Sequence, residues 1–194
     1  MKKPLIAIVL AALILFGLSF ALNGIAAQNA QAYHLQLMQT LLPGSEQFVA
    51  EPYSGDDANI RSVHKAENGF VIETVTHGYA DEITMLIAVN KDGKVMGLVV
   101  QEAYETFGLG SNALNDHVFL SQFLNSGGSF AVGAADADAF SGATQTTTET
   151  EDSVYVDAIS GATVTSKAII RCVNSAIAYV TGADAGSGAT SWGG

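Results

Sequence analysis

The sequence predicts an α+β domain, in which a small antiparallel sheet carries flanking helices, preceded by one N-terminal transmembrane helix. Three observations support this class. A long uncharged apolar run opens the chain, three strand-like runs follow one another within residues 69–104, and amphipathic helix patterns come after them. Because short strands come before the helices instead of alternating with them, the helices should cover one side of the sheet.

The N-terminal segment, residues 1–32, is predicted to be a membrane anchor. Its most apolar part, residues 4–22, would be about 28 Å long as a helix, close to the thickness of a bilayer core. Two lysines precede this run and no basic residue follows before Arg61, which indicates a cytoplasmic N-terminus and an extracytoplasmic domain at the cell (inner) membrane. A cleaved signal peptide is the alternative, since residues 30–32 (Ala-Gln-Ala) resemble a cleavage site, but the apolar run exceeds the usual ~7–15 residues.

The composition excludes several classes of function. The chain has 8 Lys and Arg against 19 Asp and Glu, a net charge of −11, and no basic stripe, so nucleic acid is not expected as a partner. Cys172 is the only cysteine, which excludes an internal disulfide and an iron–sulfur cluster, and its place in an apolar helical stripe predicts a small buried residue. The four histidines stand singly, so no metal site is predicted.

The segments after the anchor can be assigned in order along the chain. Residues 33–44 are predicted to form a linker helix or stalk that ends at Pro43-Gly44. The compact domain is predicted over residues 45–181, beginning with a polar, turn-rich stretch over 45–68. Its three strands are predicted at residues 69–76, 83–90 and 94–104, and the last two are joined as a hairpin through Lys91-Asp92-Gly93.

The second half of the domain is predicted to be mainly helical. A helix is predicted over Leu114–Leu124, capped by Asn112. Residues 125–150 have little periodic apolar pattern and are predicted to be a long surface loop or insertion. A strand-like run at 154–156 then leads into a long amphipathic helix over 164–180, and residues 182–194 are predicted to be a flexible tail.

The pattern Asp-x-x-Ser-Gly-Ala-Thr occurs three times, at Asp138–Thr144, Asp157–Thr163 and Asp184–Thr190. Only the middle copy lies between a strand-like run and a long helix. A turn of small residues before a helix N-terminus can hold a phosphate group, because free N–H groups and the positive end of the helix dipole meet there. The alternative is a Ser/Thr N-cap after a glycine turn, and the spacing alone does not separate the two.

A second segment, Glu105-Thr106-Phe107-Gly108-Leu109-Gly110, directly follows the third predicted strand. Its glycines predict a loop at the end of the sheet, where ligands often bind. Glu105 either meets the N–H groups of a ligand or is simply solvated. The glycine pair alone is no sign of a dinucleotide site, since no long helix of that fold follows it.

Four segments in this order resemble the FMN-binding domain of the G subunit of Rnf electron-transport complexes; the C subunit of sodium-pumping NADH:quinone oxidoreductase is similar. They are Gly-Tyr-x-x-x-Ile (residues 78–83), Glu-Thr-x-Gly-Leu-Gly (105–110), Phe-x-x-Gln-Phe (119–123) and Asp-x-x-Ser-Gly-Ala-Thr-x-Thr-Ser (157–166). The resemblance runs from the anchor to about residue 180. The chain departs from the family where Phe107 replaces the usual proline and where the stretch over 125–150 is longer.

The resemblance implies a membrane-anchored flavoprotein subunit that relays electrons within an Rnf-type ferredoxin:NAD oxidoreductase complex coupled to ion translocation. It implies FMN as a covalently attached cofactor, other membrane subunits as partners, and Thr163 as the residue esterified to the FMN phosphate by a separate flavin transferase that uses FAD. The further cofactor-binding residues predicted are Asp157, Ser160, Gly161, Ala162, Thr165, Glu105, Thr106, Gly108, Leu109 and Gly110. No residue of the chain is predicted to be catalytic.

The context of the three repeats favours Thr163 as the attachment residue. Thr144 has no apolar helix pattern behind it, and Thr190 lies four residues from the last residue of the chain. The anchor has no ionisable residue within its apolar run, so an ion path is expected in partner subunits. Two alternatives are a stand-alone extracytoplasmic FMN carrier or reductase, and a tethered acidic structural module without flavin.

Overall fold

The computed structural model describes residues 28–105, 110–133 and 153–183, together with residues 16 and 26. Most of the predicted anchor and all of the predicted tail beyond residue 183 lie outside the described residues, as do Thr144 and Thr190. In the described part of the chain, no helix combines the length and the apolarity that a bilayer crossing needs. The α+β class is confirmed for the compact unit Gln39–Gly194.

The core of this unit is a five-stranded antiparallel sheet whose strands follow one another in sequence order. Every residue from Ile83 to Val89 is buried, so the fourth strand is covered on both of its faces. The three strands predicted from the sequence are confirmed within a few residues of their predicted bounds. The strands are β1 (Val49–Glu51), β2 (Ile60–Lys65), β3 (Gly69–His77), β4 (Glu82–Asn90) and β5 (Val95–Ala103).

Strands β1 and β2 lie in the stretch over 45–68, so the prediction of a polar, turn-rich segment was wrong for these residues. Only Ile60 and Val63 of β2 are buried. The pairing of β2 with β3 shifts register between Ile60 and Ser62, so the two buried residues are three apart instead of two. This irregularity removes the alternation by which a half-buried strand is predicted.

The hairpin between β4 and β5 is confirmed. The side chain of Asn90 organises the turn, because its Oδ1 accepts hydrogen bonds from the N–H groups of Asp92 and Lys94 at 3.0 and 2.9 Å. Gly93 has a φ of 78°, in the left-handed region, and donates its N–H to the carbonyl oxygen of Asn90 at 3.0 Å. The glycine therefore closes the turn in a conformation that other residues adopt at a cost.

The helices differ from the predictions at two places. Helix α1 extends over residues 28–41, so the helical part of the predicted segment 33–44 is confirmed, while its role as a stalk stays a prediction. The single helix predicted over 114–124 was wrong, because Asp116 accepts hydrogen bonds from the N–H groups of Val118 and Phe119 and starts a new helix. The two short helices are α2 (Gly110–Asn115) and α3 (His117–Ser121), and the long predicted helix is α4 (Thr163–Thr181).

A second, two-stranded parallel sheet consists of β6 (Ser129–Val132) and β7 (Ser153–Val156). The prediction of a loop over 125–150 was wrong for β6, and residues 134–150 lie outside the described residues. Asn174 of α4 joins this sheet to the helix, because its Oδ1 accepts the N–H of Phe130 and its Nδ2 donates to the Phe130 carbonyl, both at 2.9 Å. Strand β7 then leads directly into the turn before α4.

Helix α4 covers one face of the main sheet with an apolar stripe that includes Ile169, Cys172, Val173 and Ala176, each fully buried. The predicted burial of Cys172 is confirmed. Desolvation raises the pKa of the Cys172 thiol to about 11, above an ordinary value of 9.0. The thiol is therefore neutral at physiological pH, and it is a packing residue because the reactive form of cysteine is the thiolate.

We expect the stability of the protein to fall between pH 9 and 11 through Cys172. The folded-state pKa lies above the unfolded-state value, so the full contribution is present below pH 9 and is lost as the pH rises through about 11. A shift of this size corresponds to about 3 kcal/mol once both states have titrated. Urea unfolding of wild type and Cys172→Ala at pH 8 and 10.5 measures it, because other titrating groups cancel in the difference. A difference that does not change with pH would contradict the prediction.

Candidate functional site

Residues 157–162 form the turn that joins β7 to α4, and the middle copy of the repeated pattern fixes its shape. Gly161 has a φ of 80°, in the left-handed region that glycine tolerates best. The N–H of Ala162 donates to the carbonyl of Ile159 at 2.9 Å. The N–H of Ile159 donates to Oγ of Ser166 at 3.3 Å, which ties the turn to the first part of the helix.

The N-terminus of α4 begins with Thr163, preceded by Ala162 as its N-cap residue. The first hydrogen bond of the helix joins the N–H of Ser166 to the carbonyl of Ala162 at 2.9 Å, so the N–H groups of residues 163–165 have no carbonyl partner within the helix. The methyl side chain of Ala162 cannot accept any of them, and α4 has no side-chain cap hydrogen bond. The alternative of a plain Ser/Thr N-cap at Thr163 was therefore wrong.

The predicted phosphate-binding turn is accessible from outside. Ser160 and Gly161 are exposed, and Thr163 is half-buried. Small residues at 161 and 162 leave the backbone open to the approach of a bulky group. An anion placed here would meet N–H groups that the helix does not use, together with the positive end of the helix dipole.

Glu105 follows β5 and holds the turn that connects β3 with β4. Its Oε1 accepts hydrogen bonds from the N–H groups of Tyr79 and Ala80, at 2.8 and 3.4 Å. A side chain at Gly78 would collide with this carboxylate and approach Cδ1 of Ile83 to 2.8 Å, which explains the glycine at that position. Glu105 is therefore a structural clamp and not merely a solvated carboxylate.

Arg171 of α4 holds the end of β3, just before this turn, and it was not singled out from the sequence. Its Nε donates to Oγ1 of Thr76 at 3.3 Å and its Nη2 donates to the carbonyl of His77 at 3.0 Å. Burial lowers the pKa of the guanidinium, which still remains charged at physiological pH. The sequence did offer one indication of this role, because Arg171 is a basic residue beside the apolar stripe of α4.

Glu105, Gly110 and Thr165 meet at one point beneath the start of α4. A methyl group built on Gly110 would lie 2.5 Å from Oε2 of Glu105 and 2.8 Å from Oγ1 of Thr165. Both of these oxygens are buried and lack a hydrogen-bond partner in the described part of the chain. Buried polar atoms without partners are uncommon in native proteins and require an explanation. The structure thus brings Glu105 and Gly110, which flank the loop after β5, close to Thr165 in the first turn of α4.

The structure divides the predicted site residues into two groups. Thr163 and Thr165 are two positions apart, about 200° around the helix axis, and Thr165 is 1% exposed and lies against Gly110. The inner group, under the helix, is Glu105, Gly110 and Thr165, and the outer group, in the turn, is Asp157, Ser160, Gly161, Ala162 and Thr163. Thr106, Gly108 and Leu109 lie outside the described residues.

Gln122 supports the outer group, a role that the sequence did not predict. Its Oε1 accepts the N–H of Asp157 at 2.9 Å and its Nε2 donates to the carbonyl of Asp157 at 3.3 Å. The sequence contained a signal, because Gln122 stands between the apolar positions Phe119 and Phe123, which are both buried. Such a glutamine is placed at the border of a core, within reach of neighbouring backbone groups.

A metal site and a separate groove were the two other kinds of site considered. Within the described ranges, no group of three or more His, Cys, Asp and Glu side chains could hold a metal ion. A groove with a volume of about 690 Å³ lies beside β1 and β2, and none of the predicted site residues lines it. Its lining residues are Gly44, Glu46, Gln47, Val49, Glu51, Lys65, Ala66 and Glu67.

Residues 78–178 match the FMN-binding domain family, a range that includes all four segments noted in the sequence. A fold comparison gives the crystal structure of NqrC from Shewanella oneidensis, with a TM-score of 0.44 and 22% identity, covering 64% of this chain and 61% of that one.

Three curated relatives carry related names, each that of the G subunit of an oxidoreductase complex. The relative from the ion-translocating oxidoreductase complex of Methanosarcina acetivorans is 30% identical over 158 residues, which cover 75% of this chain and 74% of the relative. The relative from the proton-translocating ferredoxin:NAD(+) oxidoreductase complex of Clostridium ljungdahlii is 33% identical over 112 residues, 58% of this chain and 53% of the relative. The relative from the Na(+)-translocating ferredoxin:NAD(+) oxidoreductase complex of Acetobacterium woodii is 32% identical over 110 residues, which cover 56% of this chain and 47% of the relative. The chain thus spans about half the length of two of these relatives.

Proposed function

We propose, from the premise that this chain belongs to the FMN-binding domain family, that it is the G subunit of an Rnf-type ion-translocating ferredoxin:NAD oxidoreductase complex. Its cofactor is FMN, which supplies reversible electron acceptance when it is bound. The function proposed for the chain is to relay electrons between neighbouring subunits. The supporting names belong to relatives that include a proton-translocating and a Na(+)-translocating complex, so they do not decide the coupling ion.

The observation that carries the proposal is the uncapped N-terminus of α4 with the hydroxyl of Thr163 at its first position. The negatively charged phosphate of FMN fits this place, because the unused N–H groups and the helix dipole stabilise it. Gly161 and Ala162 allow the backbone to approach the phosphate closely. Asp157 and Ser160, exposed in the same turn, complete the proposed outer part of the flavin site.

We place the covalent attachment at the hydroxyl of Thr163. The oxygen Oγ1 would form a bond to the phosphorus of riboflavin 5′-phosphate while the pyrophosphate bond of FAD breaks. AMP leaves, and the hydroxyl proton passes to a base or to water, so the step involves no net oxidation or reduction. A separate flavin transferase is proposed for this reaction, as the resemblance to the family implies.

The inner residues are proposed to shape the flavin environment. Glu105 holds the turn at Tyr79 and Ala80, and its Oε2, which has no hydrogen-bond partner among the described residues, lies near Thr165 and the start of α4. Negative charge near a flavin disfavours its reduction, so Glu105 is proposed to lower the redox potential. Thr106, Gly108, Leu109 and Gly110 are proposed to complete this part of the site.

The location of the domain follows from the same proposal. The segment over 1–32 would anchor the chain in the cell membrane, with the domain on the extracytoplasmic side, beside the other membrane subunits. A covalent bond suits that location, because a flavin that dissociates outside the cytoplasm is diluted away, whereas a tether keeps its local concentration high. Ion translocation is assigned to the partner subunits.

The test of the proposal is whether the full chain retains flavin after denaturation. The chain is co-expressed with a flavin transferase, and the denatured gel band is examined for fluorescence under ultraviolet light and for its intact mass. We expect a fluorescent band and a mass increase of one FMN less one water. A dark band of unmodified mass, while the same transferase labels a known acceptor protein, would favour the structural module without flavin. Co-purification with several multi-span membrane proteins separates a complex subunit from a stand-alone carrier or reductase.

A further inference from the structure

We propose that Gln122 is a positioning residue for flavin attachment, because its side-chain amide holds the backbone of Asp157 and thereby sets the geometry of the acceptor turn. The inference rests on the proposed function, since it concerns the same turn and the same transferase. Gln122 is thereby proposed to raise the rate of flavin attachment at Thr163, although the bonds of its side chain are made to Asp157.

The hydrogen bonds of Gln122 hold the residue that directly follows β7. Within the residues that the structure describes, the last bond between β6 and β7 joins the N–H of Gly133 to the carbonyl of Val156 at 2.8 Å. At the next residue, Asp157, the amide of Gln122 satisfies both backbone groups, accepting the N–H at 2.9 Å and donating to the carbonyl at 3.3 Å. An amide side chain has one acceptor and one donor at the spacing of a peptide group, so it replaces a neighbouring strand here.

Gln122 is itself held in place by a backbone hydrogen bond and by the buried aromatic residues around it. It follows α3 directly, and its N–H donates to the carbonyl of Phe119 at 3.2 Å. Phe119 and Phe123 are buried on either side of it, with ring centroids 5.4 Å apart, and the ring of Phe123 lies 5.1 Å from that of Phe130. A functional group that is supported by a packed shell keeps its geometry, which is the requirement for a positioning residue.

Gln122 holds the first residue of the turn, Asp157. The hydrogen bonds described inside the turn, from Ala162 to Ile159 and from Ile159 to Ser166, hold its second half. Asp157 is exposed, so its backbone is held chiefly by the amide of Gln122, whereas Ile159 is also packed against the core. A transferase that acts on one geometry of the turn is slowed in proportion to the fraction of time that the turn spends elsewhere.

The chain offers a matched control in Asn174. Its amide makes the same pair of hydrogen bonds with the backbone of one residue, Phe130, at 2.9 Å each. Phe130 belongs to β6 of the same small sheet, so Asn174→Ala removes equivalent bonds from the same structure. It leaves the bonds to Asp157 unchanged, and it therefore separates general weakening of the sheet from loss of the geometry of the turn.

The experiment measures the initial rate at which the purified full chain, produced without transferase, incorporates flavin when FAD and transferase are added. We expect Gln122→Ala to lower this rate about tenfold, from the loss of two hydrogen bonds that preorganise the acceptor, and Asn174→Ala to stay within about twofold of wild type. Circular dichroism and urea unfolding establish that each variant is folded at the assay temperature.

Gln122→Glu gives an independent measurement if the alanine variant does not fold. Its carboxylate still accepts the N–H of Asp157 but cannot donate to the carbonyl, whereas the protonated carboxyl group can do both. We therefore expect the rate relative to wild type to rise as the pH is lowered towards 5. A merely structural role would give a ratio that does not change with pH.

Three outcomes would overturn the inference or its premise. Wild-type rates for both Gln122 variants would show that the turn is positioned without Gln122, while the proposed function stands. Equal slowing by Gln122→Ala and Asn174→Ala would assign the effect to the small sheet as a whole. A wild-type chain that takes up no flavin from an active transferase would instead remove the proposed function itself.

Discussion

Thr163→Ala is expected to abolish covalent flavin attachment, with loss of the fluorescent band and of the added mass. The hydroxyl of Thr163 is the group that would bond to phosphorus, and it stands at the first position of an uncapped helix. Alanine removes that oxygen while keeping the backbone N–H groups and a residue that favours helix. Mass spectrometry of the intact chain and of its flavin peptides, after co-expression with the transferase, measures the result.

Thr163→Ser is the matched control for this prediction. Serine keeps the hydroxyl at the same position, so attachment is expected to continue, although with a lower rate because a primary hydroxyl has a different approach and more rotational freedom. Flavin that persists on Thr163→Ala would place the label on Thr144 or Thr190, the acceptors in the other two copies of the pattern. In that case the context of the helix N-terminus would not be what selects the acceptor.

The sequence predicted the parts of the fold in which residue periodicity matches local structure. The hairpin through Gly93 and the helix α4 were predicted because alternation, a turn glycine and an apolar stripe each agree with the final structure. Strand β2 was missed because its buried residues, Ile60 and Val63, are separated by a register shift. The break at Asp116 was missed because an aspartate within a helical pattern is also compatible with a continuous helix.

The sequence identified the segments of the candidate site, but it did not predict how their side chains are arranged. The turn before α4 was recognised because its small residues and hydroxyls are contiguous in the sequence. The helical period predicts that Thr163 and Thr165 lie on different sides of α4. The neighbours of Thr165, which are Glu105 and Gly110, depend instead on the path of the chain after β5. Long-range contacts of Gln122 and Arg171 could not be predicted from spacing, since each joins segments far apart in the chain.

These contacts explain how the candidate site is supported at the edge of a small domain. Glu105 and Arg171 hold the turn between β3 and β4, while Gln122 and Ser166 hold the turn before α4. The exposed residues of the site thus rest on side chains that are fixed by the core. The half-buried Thr163, as the proposed acceptor, can then be offered to a second protein without loss of order in the surrounding backbone.

Phe123→Ala is expected to lower the free energy of unfolding by about 3–5 kcal/mol, a large part of the 5–15 kcal/mol of a typical domain. The side chain of Phe123 is fully buried. Its ring makes edge-to-face contacts with Phe119 at 5.4 Å and with Phe130 at 5.1 Å. Alanine would lose the buried area and both ring contacts and leave a cavity between the short helix α3 and the small sheet.

Val118→Ala is the control, because it truncates an exposed side chain of the same region and so shows how much of the loss in Phe123→Ala comes from burial. Val118 belongs to α3 and is 78% exposed, so its truncation is expected to change the free energy of unfolding by less than about 0.5 kcal/mol. Urea unfolding followed by circular dichroism gives both values under one condition. A loss confined to Phe123→Ala would mean that the buried aromatic cluster, and not the exposed face of α3, carries the stability of this region. Equal and small losses from the two variants would mean that the cluster packs more loosely than its ring distances indicate.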